Sequence, residues 1–141
     1  MEARTFYTIT AAQIIGAGVA VWLVFFLPGA WDWQRCIGTV LMLVGMAGIA
    51  VARYQLGRSF SIKAEARRLV THGIYSKIRN PIYVFGEVLF AGFILLLHRP
   101  GLWALFFAIL IMQIIRARRE AQVLEAAFGE AYREYRRKTW F

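Results

Sequence analysis

The chain has 141 residues, 60% of them hydrophobic, and a formal net charge of +9. This length fits one domain, and long apolar runs beside basic loops are typical of an integral membrane protein. The basic residues flank the apolar runs rather than line a soluble face, so we expect no nucleic-acid partner. A lone cysteine, Cys36, excludes an internal disulfide, and with His72 and His98 it offers too few ligands for a metal site.

The apolar runs predict an all-α integral membrane fold with about four transmembrane helices, since a span needs roughly 20 residues. We place these helices at residues 9–27, 36–54, 81–97 and 102–116, within a single domain of residues 1–141. A tight turn at residues 98–101 joins the last two as an antiparallel hairpin. The remaining segment, 117–138, has apolar residues at helical spacing among charges, which predicts a cytoplasmic amphipathic helix broken near Gly129.

The distribution of basic residues predicts the orientation. Seven Lys or Arg residues lie between Arg53 and Arg79, and seven more lie from Arg116 onward, whereas the two opposite loops contain only Arg35 and Arg99. Basic loops remain on the cytoplasmic side, so both termini are expected in the cytoplasm. The short chain and the lack of a convincing signal peptide favour a location in a prokaryotic inner membrane. The lipid bilayer is therefore an expected partner of the protein.

Two polar stripes are predicted to meet at one depth. They are Asn80, Tyr83 and Glu87 on the third span and Gln113, Arg116 and Glu120 on the fourth. Each set has i, i+3, i+7 spacing and so shares one helix face. Counting outward from the hairpin turn places Tyr83 level with Arg116, just inside the cytoplasmic face. The stripes predict a polar pocket, although single residues could also be anchors or plain ion pairs.

Two blocks of the sequence resemble a known enzyme family. The first is Leu69-Val70-Thr71-x-Gly73-Ile74-Tyr75-x4-Asn80-Pro81-x-Tyr83, and the second is Arg116-x3-Glu120-x3-Leu124-x3-Phe128-Gly129-Glu130-x-Tyr132-x2-Tyr135. Together they resemble the isoprenylcysteine carboxyl methyltransferases over residues 53–138. That family usually has His where Asn80 stands. Phospholipid N-methyltransferases share a looser version of the first block, often with Asn before the proline.

The resemblance implies a membrane enzyme that uses S-adenosylmethionine. Matched by position, the implied cofactor-binding residues are Arg67, Arg68, Leu69, Val70, Tyr75, Asn80, Pro81, Ile82, Tyr83 and Glu120. The implied catalytic residues are Arg116 and Glu120, and we place Arg116 with Glu87 at the methyl acceptor. No metal is implied.

The predicted function is O-methylation of a carboxylate on a lipid-like or isoprenylcysteine-like acceptor. A carboxylate is already a nucleophile, so the reaction needs positioning more than a general base, and Arg116 suits bidentate capture of it. An amine or phospholipid acceptor would instead need Glu87 or Glu120 to accept a proton. A membrane reductase on a related helical scaffold and a small transporter are the alternatives from other classes.

Overall fold

The computed structural model describes residues 11, 15–16, 18–26, 28–56 and 69–141. The helices of this part of the chain are α1 (Trp33–Leu56), α2 (Pro81–Leu97), α3 (Leu102–Phe128) and α4 (Glu130–Lys138), with a 3-10 turn at Gly73–Ser76 between α1 and α2. Residues 18–26 are also helical. Within these ranges the only β pairing is an isolated bridge between Ile78 and Trp140, so the predicted all-α class is confirmed.

Among the described residues, α1 is the one helix long and apolar enough to cross a membrane, at 24 residues. Helix α2 is apolar and shorter, at 17 residues, and its bounds coincide with the predicted 81–97. The predicted span 9–27 lies partly outside the described residues. That four helices cross the bilayer therefore stays a prediction.

The last predicted span, 102–116, continues without a break into the first part of the predicted amphipathic segment. Helix α3 runs from Leu102 to Phe128 without interruption. Its sequence changes from apolar to charged near Arg116, but Arg, Glu, Gln and Ala are all good helix formers, so the backbone continues while its surroundings change. The predicted break occurs at Gly129, whose φ of 53° is a left-handed conformation that glycine adopts readily.

Helices α1 and α2 pack at backbone distance through glycines. A Cβ atom added at Gly38 would lie 2.7 Å from the carbonyl oxygen of Gly92, and one added at Gly45 would lie 2.6 Å from the main-chain nitrogen of Leu89. Close approach of this kind maximises van der Waals contact, which drives helix association where lipid removes the hydrophobic force. Helices α1 and α2 therefore form a closely packed pair.

A polar junction lies at the end of the molecule opposite the polar stripes. Asp32 caps α1, because its Oδ1 accepts a hydrogen bond from the main-chain N–H of Arg35 at 2.8 Å. The buried Arg35 guanidinium donates to the carbonyl oxygens of Val24 at 2.7 Å and Gly29 at 2.8 Å. Arg35 thus joins the preceding helical residues to α1, a structural role that its loop position in the sequence did not suggest.

The same junction holds the turn between α2 and α3 through His98. Its Nε2 lies 2.8 Å from Asp32 Oδ2, and its Nδ1 lies 3.2 Å from the carbonyl oxygen of Leu96. The bond to Asp32 raises the pKa of His98 above its usual 6.5. The main-chain bond from Arg35, followed by the bond with His98, lowers the pKa of the Asp32 carboxyl.

We expect the His98–Asp32 link to stabilise the fold between about pH 4 and pH 6.5. Below the ordinary pKa of His98 its contribution is complete, and it is lost as the pH rises through the raised value. The contribution of Asp32 is lost as the pH falls through its lowered value. NMR titration of His98 in a His72→Gln background should give a pKa above 6.5. Adding Asp32→Asn should lower it, and an unchanged titration would contradict the link.

Candidate functional site

The loop between α1 and α2 is held in place by a contact that requires glycine. Gly73 has a φ of 61°, and a Cβ atom there would overlap the side chain of Gln55. The Oε1 atom of Gln55 accepts a hydrogen bond from the main-chain N–H of Ile74 at 2.7 Å. Gln55, at the end of α1, was not predicted as part of the site. It explains why the motif has glycine at this position.

Apolar side chains of the same loop pack on α1. Val70 and Tyr75 are buried against Ala52 in one cluster, and Ile82 of α2 packs on it. Burial raises the pKa of the Tyr75 phenol, and the nearby Tyr135 and Glu120 raise it further. The Tyr75 phenol therefore stays protonated at neutral pH.

Helix α4 contacts this loop from the other side. The hydroxyl of Tyr135 donates a hydrogen bond to the carbonyl oxygen of Tyr75 at 2.7 Å. Both tyrosines are buried. The contact joins residues 60 positions apart, so it sets the position of the loop relative to the C-terminal segment.

The residues after α4 run alongside the end of the loop. The main-chain N–H of Trp140 donates to the carbonyl oxygen of Lys77 at 3.0 Å, and that of Arg79 donates to the carbonyl oxygen of Trp140 at 3.1 Å. The main-chain N–H of Asn80 donates to the main-chain oxygen of Phe141 at 2.9 Å. These bonds fix the loop directly before α2 begins.

Pro81 is the first residue of α2, where its missing N–H costs no helical hydrogen bond, and it is fully buried. Asn80 precedes it as the N-cap, but its side chain makes no capping hydrogen bond. The carbonyl oxygen of Asn80 accepts the N–H of Tyr83 at 3.0 Å. The Asn80 side chain thus stays available at the start of the helix.

Tyr83, Arg116 and Glu120 form one polar cluster between α2 and α3. The Tyr83 hydroxyl donates to Glu120 Oε1 at 2.6 Å, and Arg116 Nε donates to the same oxygen at 3.0 Å. The Arg116 guanidinium carbon lies 5.8 Å from the centre of the Tyr83 ring. These contacts confirm that Tyr83 and Arg116 lie at the same depth. Neither bond uses Glu120 Oε2.

A second pair of polar groups lies deeper between the same helices. Tyr83 and Phe90 of α2 both contact α3. Tyr83 bonds to Glu120, and the Phe90 ring stacks on the Phe106 ring with 6.2 Å between the ring centres. Glu87 lies between them on that face, roughly 6 Å along the helix from Tyr83. Both its carboxylate oxygens are buried without a hydrogen-bond partner, and so is the Oε1 atom of Gln113 on α3.

Apart from Asn80 and Glu87, described above, the predicted site residues separate into three groups. Tyr83, Arg116 and Glu120 are brought together in one cluster, whereas Tyr75 is buried against α1 and bonded to Tyr135. Val70, Pro81 and Ile82 pack in the protein interior and support the loop and the helix start, while Leu69 is half-buried beside them. Arg67 and Arg68 lie outside the described residues.

A cleft of about 340 Å³ lies between the loop and α4. Its lining consists of Thr71, Ser76, Ala131, Glu134, Tyr135 and Lys138. None of these was predicted to bind the cofactor, and the cleft is not lined by the Tyr83–Arg116–Glu120 cluster.

Comparisons with known proteins match the chain to methyltransferases. The chain is 25% identical over 136 residues to Protein-S-isoprenylcysteine O-methyltransferase of Rattus norvegicus, with 86% of this chain and 48% of that protein covered. The chain spans about half the length of that curated relative. No solved structure gives a significant match. The model of the phospholipid methyltransferase family matches residues 33–131, which include α1, α2, α3 and the loop between α1 and α2. The chain belongs to the phospholipid methyltransferase family.

Proposed function

We propose that the protein is an S-adenosylmethionine-dependent methyltransferase that acts on a lipid-like acceptor at the cytoplasmic boundary of a membrane. The observation that carries this proposal is the cluster of Tyr83, Arg116 and Glu120 beside the loop 69–80. Family membership favours a methyltransferase over the reductase and the transporter. The apolar α1 and α2 helices supply a bilayer-facing scaffold for a hydrophobic acceptor.

The residues present fit this cofactor. S-adenosylmethionine carries a sulfonium and an ammonium cation, a carboxylate, and an adenosine. Glu120 offers an anion whose Oε2 is not used by its two neighbours, and the Tyr83 ring offers an aromatic face for a cation. The Nε atom of Arg79, next to Asn80, is buried without a hydrogen-bond partner and suits the carboxylate. Asn80 adds an amide donor and acceptor.

When bound, the cofactor supplies a methyl group that is attached to a positively charged sulfur. The acceptor lone pair bonds to the methyl carbon while the carbon–sulfur bond breaks and its electrons return to sulfur. The chain contributes orientation for this in-line displacement. Tyr83 and Arg116 both donate to one oxygen of Glu120 and so fix its direction. A fixed carboxylate holds its cationic partner without reorganisation during the reaction.

The first candidate acceptor is a carboxylate, and Arg116 supports it. Its side chain is 46% exposed at the cluster, so it can be reached by a ligand. A guanidinium binds a carboxylate through two parallel hydrogen bonds and orients its oxygens. A carboxylate has no proton to lose, so no base is required in this case.

The second candidate acceptor is an amine, and Glu87 supports it. A buried carboxylate without hydrogen bonds is costly, and a cationic ligand would offset that cost. An ammonium group bound at Glu87 would pass one proton to its carboxylate, and the amine lone pair would then bond to the methyl carbon. Gln113 Oε1 on α3 is a further buried acceptor without a hydrogen-bond partner.

The acceptor class can be tested with methyl-labelled cofactor and purified protein in liposomes. One set of liposomes contains an aminophospholipid, and another contains a prenylated cysteine with a free carboxylate. Glu87→Gln should abolish transfer to the amine and spare the carboxylate, whereas Arg116→Gln should impair transfer to the carboxylate. Absence of label on any lipid-like acceptor, with folded protein, would contradict the proposed function.

A further inference from the structure

Four hydrogen bonds join the C-terminal segment, Glu130–Phe141, to main-chain atoms of the loop. Tyr135 binds the carbonyl oxygen of Tyr75, and the residues after α4 bind three further main-chain groups. Those groups are the carbonyl oxygen of Lys77 and the N–H groups of Arg79 and Asn80. Because only main-chain atoms of the loop are used, these bonds fix its path rather than one of its side chains.

The loop makes few bonds of its own over the same stretch. The N–H groups of Lys77 and Ile78 both turn back to the carbonyl oxygen of Ile74, at 3.2 Å and 3.0 Å. From Arg79 to Asn80 the donors go to the C-terminal segment instead, in a short parallel pairing. Main-chain groups need partners, so without this segment they would turn to water and the path of the loop would change.

The position of the loop determines the position of the cluster. Asn80 is the last residue before α2, and Tyr83 lies three residues beyond it, in hydrogen-bond contact with Glu120 on α3. Helix α3 ends at Phe128 and is joined through Gly129 to α4, which carries Tyr135. A closed circuit of contacts therefore runs from the loop through Tyr83 and Glu120 to Tyr135 and back to the loop.

We propose that α4 and residues 139–141 form a C-terminal clasp that positions the loop 75–80 and Tyr83 for cofactor binding. Tyr135 and the main-chain N–H of Trp140 are its positioning groups, and neither needs to touch the cofactor. The cofactor part of this inference rests on the proposed function. The effect of the clasp on the order of the loop does not.

The chemistry of Tyr135 suits a constant contact rather than a switch. Burial, with a contribution from Tyr132, raises the pKa of Tyr135 to about 12, although Arg79 lowers it. The hydroxyl is therefore protonated, and able to donate to the Tyr75 carbonyl, throughout the physiological pH range.

The chain offers a matched pair of variants at Trp140. Trp140→Pro removes the N–H that donates to Lys77, and the preceding Thr139 is extended, with φ −125° and ψ 151°, as a residue before proline prefers. Trp140→Ala keeps that N–H and removes only an indole that is 57% exposed. Tyr135→Phe removes the hydroxyl that binds Tyr75 and retains the ring.

We expect Trp140→Pro and Tyr135→Phe to raise the Kd and KM for S-adenosylmethionine about tenfold, the effect of losing one hydrogen bond. The acceptor KM, and kcat at saturating cofactor, should remain as in the wild type. Trp140→Ala should match the wild type throughout. Hydrogen exchange of the Arg79 and Asn80 amides should become faster in the first two variants only.

Wild-type cofactor affinity in both Trp140→Pro and Tyr135→Phe would overturn the clasp, and so would equal effects of Trp140→Pro and Trp140→Ala. A lower kcat together with a rise in both KM values, in step with a lower melting temperature, would indicate only general destabilisation and would also overturn it. If the wild type binds no S-adenosylmethionine, the proposed function fails. In that case the cofactor role fails with it, and hydrogen exchange still decides whether the clasp orders the loop.

Discussion

Glu120→Gln should lower kcat/KM for methyl transfer about 100-fold, within the range reported for removing one preorganised electrostatic partner. The amide keeps the shape of the side chain but removes the negative charge that accepts both the Tyr83 hydroxyl and Arg116 Nε. Hydrogen bonds to a charged acceptor are roughly twice as strong as neutral ones, so both contacts weaken together. Transfer of labelled methyl groups to acceptor in liposomes measures the loss.

Glu125→Gln is the matched control for this variant. Glu125 lies five residues further along α3 and accepts a hydrogen bond from Arg133 Nε at 2.8 Å, with the Arg133 side chain 56% exposed. Exposed ion pairs contribute little, so this change should alter kcat/KM by less than about twofold. Equal activity of Glu120→Gln and Glu125→Gln would contradict a catalytic role for the Tyr83–Arg116–Glu120 cluster.

Gly45→Ala should lower the stability of the protein strongly. The added methyl group would lie 2.6–2.7 Å from the main-chain nitrogen and Cα of Leu89, so helices α1 and α2 would have to move apart. Overpacking of this kind costs about 2 kcal/mol, which corresponds to a fall of about 8 °C in the melting temperature of a chain this long. Thermal unfolding in detergent measures the shift.

Gly86→Ala provides the comparison on the partner helix. A Cβ atom at Gly86 would meet no atom within 4 Å, so the substitution adds helix propensity without a clash. Its melting temperature should equal or slightly exceed that of the wild type. A similar fall for Gly45→Ala and Gly86→Ala would show that the α1–α2 contact is not as close as described.

Local sequence signals were sufficient for much of the fold. The start of α2 follows from a proline that opens an apolar run, and its end follows from a polar turn that contains Pro100 and Gly101. The level of Tyr83 with Arg116 followed from counting residues outward from the hairpin turn, because both helices rise by the same distance per residue.

Other features have no signal of this kind. Hydropathy does not predict that helix α3 continues past Arg116, because it reports the surroundings of a helix and not the residue at which the helix ends. The pairing of Trp140 with the loop uses main-chain atoms, which every residue carries, and so leaves no mark in the sequence. The bond between Gln55 and Ile74 joins residues 19 positions apart and depends on how the loop folds back on α1.

The motif also mixes residues with different roles. Val70 and Pro81 are buried in the protein interior, where they fix the loop and the helix start. Glu120 and Tyr83 meet in a polar contact between two helices. A sequence pattern does not distinguish buried structural residues from residues of the polar contact, whereas their packing in the structure does. The cofactor contacts of all the implied residues stay predictions.

Calorimetric titration of S-adenosylmethionine and S-adenosylhomocysteine into detergent-purified protein tests the assignment of the Tyr83–Arg116–Glu120 cluster most directly. The wild type and Glu125→Gln should bind both compounds saturably, and Glu120→Gln should bind them at least tenfold more weakly, about the effect of losing one charge-assisted hydrogen bond. Absence of binding to wild-type protein whose thermal unfolding shows it to be folded, or equal binding by all three proteins, would contradict the assignment.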